Sequence, residues 1–96
     1  MTRAVVVQYR VKPDAVEENE TLVHAVFAEL AQKRPDGLSY RTVRVDDRTF
    51  IHLAVIDGDT NPLDQIDAFA AFTATINERC DEGPHASRGT LVGNYP

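Results

Sequence analysis

Two side chains of this sequence could carry out acid–base chemistry on a small molecule. His52 is the one strongly polar residue of an almost wholly apolar run, TFIHLAVI at 49–56, and Tyr9 lies in the valine-rich run AVVVQYRV at 4–11. Histidine titrates near neutral pH, so His52 could act as a base toward a phenolic hydroxyl while Tyr9 orients the ligand. The alternative is a core histidine whose ring nitrogens bond a neighbouring hydroxyl or backbone group. Both interpretations are open at this point.

Other polar residues are weaker candidates. His24 lies beside the apolar stripe of the first helical region, where it either reaches the rim of a pocket or belongs to the surface. Asn77 lies in the second helical region and could orient a ligand. The acidic cluster at 17–20 is expected to be a solvated helix face rather than a metal site. The sequence has no HExxH, paired CxxC or glycine-rich phosphate motif, so we expect no metal and no cofactor.

Composition limits the classes of partner. The chain has 96 residues with 15 acidic and 10 basic side chains, a formal net charge of −5. Its basic residues are scattered, which disfavours nucleic-acid binding. Cys80 stands alone and is expected to be an inert thiol in a reducing compartment. The sequence shows neither a signal peptide nor the run of ~20 apolar residues that a membrane helix needs. We expect one domain over 1–96, cytoplasmic and without a membrane partner.

Four segments have the residue pattern of β-strands. The run at 49–56 is apolar almost throughout and bounded by turn residues, which is typical of a strand covered on both faces. The run at 4–11 predicts a first strand, and 38–45 alternates with polar members that suit an edge position. The last strand is predicted at 90–95, after a loop at 81–89 that contains two glycines and a proline.

Helical periodicity covers 15–34 and 63–80. In the first region the apolar residues recur at spacings of three, four and seven, which predicts one buried stripe. The second begins at Pro62, with Asn61 as its cap, and is expected to break near Asp67.

The element order βαββαβ predicts an α+β, ferredoxin-like fold with a four-stranded antiparallel sheet. Right-handed crossovers place the first and third strands centrally and the second and fourth at the edges. Two helices cover one face of this sheet. The other face is too apolar to leave wet, so we expect it to pair with a second copy of the chain.

Strand alternation predicts which side chains face the helices. They are Val5, Val7, Tyr9, Phe50, His52, Ala54 and Ile56. The space between these side chains and the helices is expected to be an apolar pocket with two polar groups, Tyr9 and His52. This is the usual form of a small-ligand site. The hairpin leaves open whether Tyr40 and Arg44, or Arg41 and Val43, share this face, because a change of one residue in the loop exchanges them.

The stretches VVVQYRVKPDAVEENETLV, GLSYRTVRVDDRTFIHLAVI, FAAFTATINERC and LVGNYP resemble small proteins of the antibiotic-biosynthesis-monooxygenase-like group, in the dimeric α/β-barrel superfamily. The resemblance covers essentially the whole chain and lies in apolar and turn patterns. It implies a homodimer whose sheets pack face to face, with a pocket in each chain between its sheet and its helices. It also implies cofactor-independent oxidation of an aromatic or quinol-like small molecule. Haem-degrading enzymes also belong to the group.

The sequence departs from that group in its pocket. Oxygenases of the group typically carry an asparagine on the first strand and a tryptophan near the end of the third, where Val7 and Ile56 stand here, and this chain has no tryptophan. A haem-degrading function is therefore not expected. Two functions remain open: an oxygenase with His52 and Tyr9 as catalytic residues, and a non-catalytic dimeric module that binds a small ligand. In either case the expected ligand contacts are Phe50, Ile56, His24 and Asn77.

Overall fold

Four strands form one antiparallel sheet in the computed structural model, which describes residues 2–95. The sheet order is β2-β3-β1-β4. The strands are β1 (Thr2–Val11), β2 (Leu38–Arg44), β3 (Thr49–Asp57) and β4 (Cys80–Gly89). The helices are α1 (Val16–Lys33), α2 (Asp67–Ala74) and α3 (Ile76–Arg79), preceded by a 3-10 helix at Pro62–Gln65. The predicted ferredoxin-like fold is confirmed, with the first and third strands at the centre of the sheet.

The last strand lies earlier in the chain than the sequence predicts. Residues 81–89 are predicted as a loop and 90–95 as a strand, whereas β4 covers 80–89 and no strand is present at 90–95. Most of its side chains are exposed, since β4 is an edge strand held by backbone hydrogen bonds to β1 rather than by burial. A strand of this kind has no apolar alternation by which the sequence could reveal it.

Gly83 explains how a glycine-containing segment continues as a strand. The pairing of β1 with β4 changes register between Gln8 and Arg10, opposite Gly83, which has a φ of +83°. A Cβ atom at Gly83 would lie 2.9 Å from the carbonyl oxygen of Gln8. Only glycine fits both that backbone conformation and that close approach, so the residue that suggests a loop instead permits an irregularity in the ladder.

The first helix agrees with its predicted bounds of 15–34 to within a residue at each end. It ends at Arg34, whose φ of 47° is left-handed and whose N–H donates to the Leu30 carbonyl at 2.8 Å. Pro35 follows and cannot continue a helix. Within residues 2–95, no helix has both the length and the apolar character needed to cross a membrane.

The second helical region is divided into three short pieces instead of the one broken helix predicted over 63–80. Breaks at Ile66 and Thr75 separate the 3-10 helix, α2 and α3. Asn61 caps the first piece as predicted, because its Oδ1 accepts the Leu63 N–H at 3.0 Å.

The start of α2 is attached to α1 by the Glu29 carboxylate. It accepts the N–H groups of Asp67 at 3.0 Å and Ala68 at 2.8 Å, and it pairs with Lys33 at 2.6 Å. These bonds, with Lys33 contributing most, hold the pKa of Glu29 at about 2. The helix therefore needs no cap residue of its own.

The core lies between the helices and one face of the sheet. On β3 the buried residues are Phe50, His52, Ala54 and Ile56, while Ile51, Leu53 and Val55 on the other face are half-buried. This confirms the predicted side of the central strand. The register of β2 with β3 pairs Tyr40 with Ala54 and Thr42 with His52, so Tyr40 is the tyrosine that shares the histidine's face.

Candidate functional site

A cavity of about 330 Å³ lies between the sheet and the short helical pieces. This volume is at the lower end of the range for small-ligand pockets. The side chains around it are uncharged and mostly apolar. They are Val5, Val7, Tyr40, His52, Ala54, Asn61, Leu63, Phe69, Phe72, Thr73, Ile76, Pro84 and Ala86.

His52 forms part of the cavity wall with both ring nitrogens already hydrogen-bonded. Its Nε2 lies 2.7 Å from the hydroxyl of Tyr9. Its Nδ1 lies 2.6 Å from the hydroxyl of Tyr40 and 3.0 Å from that of Thr42. The pairing of β3 with β2 positions the latter two, because Thr42 is directly opposite His52 and Tyr40 is two residues away on the same face.

Two further buried polar residues extend these hydrogen bonds behind Tyr9. Asn19 on α1 is fully buried, and its Nδ2 donates to the Tyr9 hydroxyl at 2.9 Å. Arg79 on α3 is 3% exposed, and its Nε donates to Asn19 Oδ1 at 3.0 Å. We call Arg79, Asn19, Tyr9, His52, Tyr40 and Thr42 the polar network. It crosses the core from α3 to the edge strand β2.

Arg79 is a buried cation held by neutral acceptors. Its remaining N–H groups donate to Thr75 Oγ1 at 2.5 Å and to the Phe72 carbonyl at 3.0 Å. Its guanidinium carbon lies 5.2 Å from the centre of the Phe72 ring. Within residues 2–95 no carboxylate pairs with it. The charge is therefore stabilised by the dipoles of Asn19, Thr75 and the Phe72 carbonyl instead of by an ion pair.

Burial keeps His52, Tyr40 and Tyr9 neutral. It lowers the pKa of His52 from 6.5 to about 4 and raises the pKa of Tyr40 to about 12. Burial also raises the pKa of Tyr9 above its usual value, although the Asn19 hydrogen bond opposes this shift. A base whose conjugate acid has a pKa of about 4 would ionise a phenol of pKa about 10 at a cost of about 8 kcal/mol. With its pKa lowered and both ring nitrogens already hydrogen-bonded, His52 is better suited to orienting a ligand than to removing its proton directly.

The two residues predicted as catalytic are brought together, but only one of them reaches the cavity. His52 lines it, whereas Tyr9 is 1% exposed and contacts the histidine from behind.

The residues predicted as ligand contacts lie outside the lining. Phe50 is buried and stacks on Tyr9, with ring centres 5.6 Å apart. Ile56 is buried in the core. His24 and Asn77 are exposed on the helices, and neither borders the cavity.

Four residues at or behind the cavity are not among the candidate site residues that the sequence indicates: Tyr40, Asn61, Asn19 and Arg79. For Asn19 a signal was present, since it lies three residues after Val16 and four before Val23, on the apolar stripe of the helix. A polar residue at such a position is expected to be buried and hydrogen-bonded.

No protein-family model matches the sequence, and no curated protein matches it. Solved structures do match. A proposed antibiotic biosynthesis monooxygenase from Caulobacter crescentus has a TM-score of 0.74 and 20% identity over 96% of this chain and 91% of its own. A second proposed antibiotic biosynthesis monooxygenase, from Nitrosomonas europaea, has a TM-score of 0.77 and 11% identity over 95% of this chain and 90% of its own. A conserved protein from Methanosarcina mazei has a TM-score of 0.74 and 20% identity over 93% of this chain and 91% of its own.

The chain has the antibiotic biosynthesis monooxygenase-like fold. The resemblance noted in the sequence is thereby confirmed for the fold. Other matching structures are described as proteins of unknown function, one of them as a possible oxidoreductase. The fold supplies the scaffold, and the function has to be argued from the cavity and its side chains.

Proposed function

We propose that the cavity binds a small, neutral, aromatic molecule. The observation that carries this proposal is the cavity itself, an apolar hollow between sheet and helices with the polar network ending at one wall. Among the described residues 2–95 no charged side chain borders it, which disfavours an ionised ligand. The rings of Phe69 and Phe72 offer aromatic faces on the helical side.

Filling the cavity tests this proposal. Ala86 lines the cavity from the exposed edge strand β4, so Ala86→Phe should occupy part of it at little cost to the core. Bicyclic and tricyclic aromatic compounds should raise the melting temperature of the wild-type protein, because they bind only the folded state. Ala86→Phe should weaken that binding at least tenfold in calorimetric titrations. Ala70→Phe is the control, since Ala70 is exposed on α2 and outside the lining.

Absence of stabilisation by every compound would count against ligand binding. Equal affinity in Ala86→Phe and the wild-type protein would show that binding occurs elsewhere.

Cofactor-independent oxidation of an aromatic or quinol-like ligand is a second candidate function. It is supported by the fold, which is shared with proteins proposed as antibiotic biosynthesis monooxygenases, and by the position of His52 at the cavity wall. Because both ring nitrogens are occupied, a phenolic proton would reach His52 through Tyr40. This route requires the tautomer of His52 in which Nδ1 is unprotonated, so that Tyr40 accepts the ligand's proton while passing its own to Nδ1.

Substitutions at His52 separate catalysis from binding. If His52 takes the proton, His52→Ala should abolish oxygen consumption with a phenolic or quinol ligand. His52→Asn should keep much of the binding, because an amide can still form a hydrogen bond. If the side chain only satisfies the core, both substitutions should lower the melting temperature and leave any ligand affinity nearly unchanged.

We also infer that two copies of the chain pair through the sheet face opposite the helices. On this face Val6, Leu53 and Val55 are only half-buried, and Val43 is 54% exposed. A contiguous apolar surface at the centre of a sheet is typical of an interface. A second copy covers it by two-fold symmetry.

A further inference from the structure

The buried end of the polar network fixes the direction of its hydrogen bonds. Arginine can only donate, so the Asn19 atom that accepts from Arg79 must be its amide oxygen. The amide nitrogen of Asn19 then faces Tyr9 and donates to the tyrosine oxygen at 2.9 Å. The orientation of this amide follows from its partners and is not ambiguous.

Because Tyr9 accepts from Asn19, its own hydroxyl must donate to His52. With its oxygen accepting from Asn19, the hydroxyl proton of Tyr9 has one acceptor among the residues that the structure describes, His52 Nε2 at 2.7 Å. If Nε2 carried the ring proton instead, the Tyr9 proton would be buried without a partner, at a cost of about 1–3 kcal/mol. Nε2 is therefore the acceptor, and the proton of the neutral ring is on Nδ1.

The Nδ1 proton points at the oxygen of Tyr40, 2.6 Å away, and Thr42 lies within reach of the same proton at 3.0 Å. The oxygen of Tyr40 thus accepts, and its own proton is not used by His52. Tyr40 lines the cavity, so this proton can be donated to a ligand there in place of the hydroxyl of Thr42, which also hydrogen-bonds Tyr40.

A second donor borders the same cavity. Oδ1 of Asn61 accepts the Leu63 N–H, which leaves the amide nitrogen as the group that Asn61 can offer a ligand. The hydroxyl of Thr73, the other polar group of the lining, donates to the carbonyls of Phe69 and Ala70 in its own helix.

We propose that the polar network makes Tyr40 a hydrogen-bond donor to the cavity, so that the site selects apolar ring molecules carrying an uncharged acceptor oxygen, such as a ketone. Arg79 and Asn19 are positioning residues in this selection, since they set the direction of the hydrogen bonds without touching the ligand. The proposal rests on the proposed function, because it assumes that the cavity binds small molecules. It differs from a site whose histidine accepts a proton from a phenol, since the two require opposite tautomers of His52.

A pair of matched probes tests the selection. Fluorenone and fluorene share one ring skeleton and differ by a carbonyl in place of a methylene. The wild-type protein should bind fluorenone at least tenfold more tightly, because the carbonyl accepts from Tyr40. Tyr40→Phe keeps the ring and removes this donor, so the preference should fall to what the amide nitrogen of Asn61 alone supplies.

Asn19→Asp should reverse the direction of the network. A carboxylate accepts from both Arg79 and Tyr9, so the Tyr9 oxygen becomes the acceptor of a proton on His52 Nε2. Nδ1 then accepts from Tyr40, whose proton is no longer offered to the cavity. The fluorenone preference should fall to the level of Tyr40→Phe, and the ring ¹⁵N shifts of His52 should change from Nδ1–H to Nε2–H. Asn77→Asp, with the same change of charge at an exposed position on α3, is the control for both readings.

The tautomer of His52 tests the direction of the hydrogen bonds, and the ligand affinities test the selection and the proposed function. An Nε2-protonated His52 in the wild-type protein would overturn the inference whether or not ligands bind. So would a fluorenone preference that is undiminished in Asn19→Asp. If other aromatic compounds bound and fluorenone showed no advantage over fluorene, the selection would fail while the proposed function stood. If no aromatic compound bound, the proposed function would fail and the selection with it.

Discussion

His52 is buried in a site that excludes its charged form. Burial places the folded-state pKa at about 4, below the ordinary value of 6.5. As the pH falls below 6.5, His52 is therefore protonated in the unfolded chain while it stays neutral in the folded protein. The contribution of this residue to stability is present above about pH 6.5 and is lost progressively toward pH 4.

The free energy of unfolding should consequently fall by about 2 kcal/mol between pH 7 and pH 5 because of His52 alone. Urea denaturation at the two pH values measures this loss. Glu29 does not interfere, since its folded-state pKa of about 2 and ordinary value of 4.5 place its own loss of stability at lower pH. His52→Asn should lack the difference. A variant with the same pH dependence as the wild-type protein would contradict the assignment.

At the scale of the elements, strands and helices that bury apolar side chains can be predicted from the sequence. A strand that is held only by backbone hydrogen bonds to its neighbour cannot. The central strand and α1 have strong apolar periodicity and are predicted nearly to the residue. The strand β4 is polar and exposed, and its pairing is set by β1, so no local pattern indicates it. The same limit applies to the site. Strand parity places His52 correctly, whereas the position of Tyr40 depends on a hairpin register that the sequence leaves open.

Gly83 offers a test of the last strand. Gly83→Ala should destabilise the protein by about 1–3 kcal/mol, because an alanine would be strained at a φ of +83° and its Cβ would contact β1. Gly89→Ala is the matched control, since a Cβ at that position meets no atom within 4 Å. Thermal and urea unfolding of the two variants give the comparison. Equal stabilities would mean that β4 does not pair with β1 in this register.

At the scale of the whole molecule, the two faces of the sheet differ in how they are covered. The helices bury one face, and the other keeps a half-buried apolar row on β3, formed by Ile51, Leu53 and Val55. This surface is already present in the folded chain. We therefore expect a homodimer at micromolar concentration.

Leu53→Asp should convert that dimer to a monomer. A carboxylate placed at the centre of the interface would lose its hydration without gaining a partner, which costs several kcal/mol. Size-exclusion chromatography with light scattering measures the change in mass. Thr21→Asp, which adds the same charge at an exposed position on α1, should remain dimeric. A wild-type protein that is already monomeric would remove the basis for this prediction.

The division of the second helical region into short pieces has a consequence for how fast a ligand exchanges. The pieces of four, eight and four residues are too short to be stable by themselves and are held by their packing. Segments of this kind open at a lower free energy than the central strands of a sheet. The rates at which a ligand enters and leaves should then depend on how readily the helical pieces open, while its polar contact comes from Tyr40 on the strands. Substitutions that loosen the helical pieces outside the cavity lining should speed entry and release together and leave the affinity nearly unchanged.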